Sequence, residues 1–270
     1  MAEVLFRTDG KHYVPTALAG SPWHPAVLHG GAPAGLLAHC LESQVLAANM
    51  QPARLSIDLL RPVPKAPLNI SVRPIRSGNR IMLLEGSLEA GGNLVALATA
   101  LFVKAEPVSL PEYAPVYTGK LSDPEGIGSV SFQDVLFGQS GNMPPGLHTA
   151  VELRPASELK ETGKGSAWIA LPLKIVEGQV NSPFMLAALA ADFGNGVGQL
   201  KLGENTGTIN ADVQLQLSRL PKGEWIGLDS EAFMDESGVG QVLTVMHDVH
   251  GRIGQVSQTI LPMMGFGGTN

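Results

Sequence analysis

The sequence predicts an α+β protein built from two tandem copies of one unit, a single long helix packed on an antiparallel sheet. Three observations point there. A helix followed by four strand-like runs occurs in residues 31–104 and again in 182–261. The runs in each copy are joined by short glycine-containing turns, which are hairpin signals. The chain also holds 32 glycines and 20 prolines among 270 residues, a composition that favours a turn-rich protein over a helical bundle.

The first copy opens on a helical run, GAPAGLLAHCLESQVLAA (31–48). Its apolar residues stack at i, i+4 spacing, Leu36 over Cys40 and Leu37 over Leu41. Strand-like runs follow at 54–60, 68–76, 80–90 and 94–104, with turns at SGN (77–79) and GGN (91–93). The second copy repeats the order. Its helix, SPFMLAALAADF (182–193), has Ser182 as the expected N-cap and Pro183 at the first helical position. Strands are expected at 209–219, 224–233, 239–249 and 252–261, with turns at ESG (236–238) and HGR (250–252). Short strands precede each helix, at 11–16 in the first copy and at 148–155 and 166–174 in the second. The match lies in the order of elements, since identity between the halves is low.

These limits divide the chain into residues 1–104, a Pro- and Gly-rich linker or crossover over 105–145, and residues 146–270. The linker carries Leu110, Tyr113 and Tyr117, too much apolar surface for a freely disordered segment.

Bulk properties exclude several classes. Apolar residues make up 44% of the chain, enough for a sizeable core, and the net charge is −6. A broadly nucleic-acid-binding surface is not expected at that charge. No run of 18 apolar residues exists, so no membrane span is expected. The start, MAEVLFRTDG, lacks the features of a secretory signal, and the single Cys40 fits a reducing cytoplasm. There is no G-x-S-x-G elbow and no G-K-[ST] loop, and neither GNGVG nor the terminal GFGG forms a dinucleotide fingerprint. The seven histidines show no metal-ligand spacing, so no metal is expected.

One residue is out of place. FMLAALAADFGNG (184–196) runs apolar from Phe184 to Ala191 and then presents Asp192. An anion at a helix C-terminus faces the wrong end of the macrodipole, at a cost of a few tenths to about 1 kcal/mol. A dry site adds several kcal/mol unless the carboxylate is hydrogen-bonded or protonated. The bland alternative is a solvent-facing cap.

The apolar helix wrapped by a strand meander resembles the hot-dog fold, and the tandem resembles a double hot-dog. HGGAPAGLLAHCLE, LLRPVPKAPLNISV, ADFGNGV, INADVQLQLSR and DVHGRIGQVSQTIL together resemble the acyl-CoA thioesterase II family, in its actinobacterial thioesterase-like branch, over about residues 10–262. The resemblance implies a cytoplasmic hydrolase of acyl-CoA or a related acyl thioester. It implies no cofactor beyond the coenzyme A of the substrate, and a homo-oligomer. It places the chemistry in the second hot-dog, on an Asp of the helix, a Ser, Thr or Asn of the next strand and a Gln of the last. Carried over by motif, these are Asp192, Asn210 and Gln258. Alignment on the Thr-Ile dipeptide instead puts Thr208 in the middle position. Asn210 departs from Ser or Thr.

The residue types suit thioester hydrolysis. A carboxylate in an apolar pocket can take a proton from water. Asn and Gln each offer a donor and an acceptor to hold that water. His29, Gly30 and Gly31 are expected to contact substrate, the glycines by letting main chain approach a ligand and polarise its carbonyl. Superposing the halves sets Gln258 opposite Thr99, Asn210 opposite Pro52 and Asp192 opposite Cys40 or Glu42, so the first half lacks the polar set and one site per chain is expected. Each residue has a bland alternative, a solvent-facing strand position for Gln258, a turn for Asn210, a helix-start turn for His29 to Gly31. Asp212 is expected to pair with Arg219 or cap a turn. Two rival functions remain, a non-catalytic acyl-ligand binding protein and a hot-dog hydratase. The hydratase calls for an Asp and a His in one loop-helix segment, and no His stands beside Asp192 in the sequence.

Overall fold

A computed structural model of the chain describes residues 3–47, 49–115, 117, 119–132, 135 and 144–264. The GFGG segment lies outside them. The first half runs β1 (Val4–Thr8), β2 (Tyr13–Pro15), α1 (Gly31–Glu42), β3 (Met50–Leu59), β4 (Leu68–Ser77), β5 (Ile81–Ala90) and β6 (Asn93–Lys104). The second runs α2 (Leu147–Ala150), β7 (Glu152–Pro155), β8 (Lys164–Ala170), β9 (Lys174–Val176), α3 (Pro183–Ala191), α4 (Gly194–Val197), β10 (Thr206–Asn210), β11 (Asp212–Leu217), β12 (Ile226–Met234), β13 (Gly240–Asp248) and β14 (Gly251–Met264). This is a double hot-dog.

The sheet is continuous. Its order is β7-β8-β12-β13-β14-β11-β3-β6-β5-β4-β2-β1-β9, with β10 added on β14. The halves join where β3 and β11 pair antiparallel, Ser56 opposite Gln214. They also exchange an edge, since β9 of the second half pairs parallel with β1 of the first.

Helices α1 and α3 lie buried inside this wrap. Leu36, Leu37 and Leu41 on α1 and Phe184, Met185 and Leu189 on α3 are buried. Two glycines let the helices approach. A Cβ on Gly31 would fall 2.7 Å from the Leu189 carbonyl oxygen, and one on Gly35 would fall 2.9 Å from Ile175 Cδ1 and 3.5 Å from the Met185 carbonyl oxygen. A glycine in a helix costs about 1 kcal/mol relative to alanine. Here that cost is offset by contact between two apolar helices.

Several local expectations shift. The first helix stops at Glu42, six residues early, with Ser43 as its C-cap. The second starts as expected, Ser182 Oγ accepting from Met185 N at 3.1 Å with Pro183 following. The expected strand at 148–155 begins instead with the turn of α2. The single strand expected at 209–219 is two, β10 and β11, broken at Ala211. Asp212 does not meet Arg219. It accepts from Thr259 N at 2.6 Å and from Gln214 Nε2 at 3.1 Å. The ladder also corrects one internal equivalence. Thr99 stands opposite Ser56 on β3 and Ser257 opposite Gln214 on β11, so the counterpart of Gln258 is Ala100, one residue on. A slip of one residue swaps the faces of a strand. Pro52 holds its place opposite Asn210, each four residues before the paired Ser56 and Gln214.

Candidate active site

Asp192 is the C-cap residue of α3 and is 7% exposed. Its carboxylate does not point to solvent. Oδ2 lies 3.0 Å from His29 Nδ1, and Oδ1 accepts from Asn210 Nδ2 at 3.1 Å. His29 comes from the residues just before α1 and Asn210 from the end of β10, so both halves build this cluster. Gly30, the N-cap of α1, is backed against the same carboxylate. A Cβ there would fall 2.7 Å from Asp192 Oδ1.

The His29 ring is held by stacking. It lies 4.5 Å from the Phe193 ring, at 24° to it, and Phe132 packs against Phe193 at 5.1 Å. Its Nδ1 faces two groups, the Asp192 carboxylate and the Gly31 N–H at 3.2 Å.

Gln258 takes a different position from the other two. It is buried, and its amide reaches main chain rather than the carboxylate. Nε2 donates to the Asp192 carbonyl oxygen at 3.4 Å, and Oε1 accepts from Asn195 N at 3.1 Å. A Cβ on Gly194 would fall 2.6 Å from both Gln258 Oε1 and Thr244 Oγ1, so a larger residue there would have to displace these side chains. Thr208 is turned toward Asn195 and Gln199. Of the two middle-position candidates, Asn210 is the one that touches Asp192. Gly31 is occupied by α3, with Leu189 and Leu147 over its Cα.

The cluster opens on a cavity of about 580 Å³. His29, Gly30, Asp192 and Asn210 line it, with apolar walls that include Leu28, Val63, Phe132 and Phe193. Asn195, Gln199, Thr208 and His148 also line it and are buried. Sequence reading missed all but Thr208. Asn195 had a usable signal, three residues after Asp192 in helical spacing. His148 and Gln199 had none, because tertiary packing alone brings them to the cavity. Among the described residues no cluster of His, Cys, Asp and Glu is arranged to hold a metal ion, and no helix is long and apolar enough to cross a membrane.

Comparison with known proteins agrees with this architecture. The acyl-CoA thioesterase N-terminal domain matches residues 19–103, and the acyl-CoA thioesterase C-terminal domain matches residues 124–261. Among solved structures, a proposed thioesterase II from Thermobifida fusca YX superposes with a TM-score of 0.72 at 14% identity, over 97% of this chain and 96% of that one. The tesB protein of Mycobacterium avium subs. paratuberculosis gives 0.65 at 14% identity, over 96% of each chain. The acyl-CoA thioesterase II TesB2 of Mycobacterium marinum gives 0.64 at 13% identity, over 87% and 90%. At these identities the likeness shows the fold. A search of curated protein sequences gives no match.

Proposed function

The chain belongs to the acyl-CoA thioesterase family and is a thioester hydrolase, and from that premise we propose that it hydrolyses an acyl-CoA in the cavity where His29, Asp192 and Asn210 meet. The carrying observation is the buried Asp192 carboxylate, held on one oxygen by His29 and on the other by Asn210. Each carboxylate oxygen keeps a lone pair for a water molecule. Asn210 Oδ1 is buried with no donor among the described residues, an acceptor that a water beside Asp192 would satisfy.

The Asp192–His29 pair takes a proton from that water as its oxygen bonds to the thioester carbon. The carbonyl electron pair moves onto oxygen. The tetrahedral adduct then expels the coenzyme A thiolate, which recovers the proton, leaving a carboxylic acid and a free thiol. Gln258 serves as a positioning residue, since it holds the main chain at Asp192 and Asn195. Coenzyme A enters as part of the substrate. The proposal extends to a cytoplasmic homo-oligomer with no cofactor of its own.

The test is thiol release from a panel of acyl-CoAs by wild type and Asp192→Asn. A general base contributes about 10²- to 10⁴-fold, so the variant loses activity on that scale. Equal rates overturn the role of Asp192. Binding of acyl-CoA without turnover by wild type favours a non-catalytic acyl carrier.

One observation favours a second reading. The His absent beside Asp192 in sequence arrives from the first half at 3.0 Å, and an Asp–His pair also suits addition of water to an enoyl thioester. Loss of the enoyl double bond from a 2-enoyl-CoA without release of thiol would replace hydrolysis with hydration.

A further inference from the structure

Beyond Asp192, buried polar groups along one cavity wall form a chain whose direction is fixed at one end. Asn195 Nδ2 donates to the Thr208 carbonyl oxygen at 3.1 Å, and a carbonyl can only accept. That fixes the Asn195 amide, so its Oδ1 is the atom that receives the Thr208 hydroxyl proton at 2.8 Å. With its one hydrogen used, Thr208 Oγ1 accepts from Gln199 Nε2 at 3.2 Å. Gln199 Nε2 also donates to the Leu200 carbonyl oxygen at 3.3 Å. Both Gln199 donors are thereby engaged, and Oε1 is the end of the chain. Among the described residues no group donates to it. Nor is it one of the buried, partnerless atoms that protein seals off. Gln199 lines the cavity.

The position selects which part of a substrate reaches this acceptor. Trp23, His24, Leu60 and Arg61 form an exposed rim of the cavity. Gln199 is 3% exposed and Thr208 2%, so they belong to the inner wall. A bulky, charged coenzyme enters from the rim, and the acyl group lies inward. We propose that Gln199 Oε1 accepts a hydrogen bond from a hydroxyl on the acyl chain, so that the preferred substrates are hydroxyacyl-CoAs. The inference rests on the hydrolase reading and narrows its substrate class.

The chemistry discriminates among donors. An ammonium group would bring an unpaired charge into a buried site, at high cost. An amide would bring its own carbonyl to a residue with no donor left for it, since both Gln199 N–H groups are engaged. A hydroxyl supplies one donor and needs little else, and Phe132, Phe193 and Leu28 suit the hydrocarbon around it. A polar acceptor left unmet costs about 1–3 kcal/mol when a plain acyl chain covers it, which corresponds to a preference of roughly 5- to 150-fold.

The experiment compares octanoyl-CoA with hydroxyoctanoyl-CoAs bearing the hydroxyl at successive carbons, on wild type, Gln199→Leu and Gln199→Met. At one hydroxyl position wild type shows a kcat/KM about tenfold or more above octanoyl-CoA. Both variants lose that preference and keep or improve turnover of the plain substrate. Equal kcat/KM for every pair on wild type overturns the inference while leaving hydrolysis intact. An equal loss on both substrates in the variants also overturns it, and would put Gln199 on the pantetheine arm. Should neither variant fold, the wild-type ratio alone decides. If wild type turns over no thioester, the hydrolase reading fails. The inference is then decided by thermal protection with thioether analogues of the hydroxylated and plain acyl-CoAs, where equal protection, or none, overturns it.

Discussion

His29 Nδ1 lies 3.0 Å from Asp192 Oδ2, so the Asp–His pair of the candidate site closes across the two halves of the chain. The contact also places the acid electrostatically. Asp192 stands at the unfavourable C-terminal end of α3, yet its carboxylate rests against Gly30 at the N-terminal end of α1. The dipole of the second helix opposes that of the first. His29→Asn is expected to lower kcat by about 10- to 10³-fold with a smaller change in KM, because it removes a partner of the reacting carboxylate rather than a wall of the cavity. Steady-state thiol release checks this. An unchanged kcat would make His29 a packing residue stacked on Phe193.

Gly30 offers a probe that removes no polar group. Its φ of −58° suits alanine, so Gly30→Ala carries no backbone strain. The new methyl would lie 2.7–2.9 Å from three Asp192 carboxyl atoms and must displace them. A misplacement of about 1 Å can cost on the order of 10²-fold in rate. The expected result is a fall of tenfold or more in kcat with native-like circular dichroism. Full activity would show that the carboxylate position does not matter.

Most of the fold was legible because it depends on local signals. Hairpin glycines, alternating strands and the Ser182-Pro183 helix start are short-range, and each element they mark exists. Boundaries were less so. GAPAGLLAHCLESQVLAA holds no glycine or proline after Glu42 to mark the stop, and the helix ends where the Ser43 hydroxyl donates back to the His39 carbonyl oxygen at 2.7 Å. The site was legible in part. Asp192 and Asn210 meet as a charge in an apolar helix requires, but the partnership with His29 depends on how two helices cross, which no spacing within either half encodes. The same holds for Gln258. Its residue type suggested water contact, while the register of β14 turns it toward main chain.

Arg219 and Asp248 form an ion pair outside the cavity, with the carboxylate buried. Burial pushes the Asp248 carboxyl up, but hydrogen bonds from Arg219, Lys222 N and His250 N more than reverse this and bring it down to about 2. The guanidinium contacts are bidentate, at 2.5 and 2.7 Å. Arg219→Leu leaves a buried carboxylate with main-chain donors only. A loss of about 3–5 kcal/mol is expected from breaking such a pair, read as a lower urea midpoint at neutral pH. The penalty should shrink as pH falls through the ordinary carboxylate range, where Asp248 in the variant can protonate. A loss independent of pH would assign the effect to packing.

His148 predicts an acid limb of stability. The residue is 4% exposed, and both ring nitrogens are buried. Burial lowers its pKa to about 4, helped by the nearby His29 and opposed weakly by the Pro144 carbonyl. The unfolded chain binds this proton near pH 6.5. Between those values the unfolded state holds more protons than the native one, so stability is present in full above about pH 6.5 and is lost as pH falls toward 4. The gap of about 2.5 pH units corresponds to roughly 3 kcal/mol, or on the order of 5–10 °C in Tm for a chain of this size. His39 and His247 are also lowered by burial, so wild type alone cannot assign the limb. Thermal melts of wild type and His148→Leu across pH 4 to 7 separate them, because the variant keeps every other titrating group. The two Tm curves should converge or cross as the pH drops, the variant losing less. Curves that stay parallel would mean that His148 takes up its proton in the folded protein as easily as in the unfolded one.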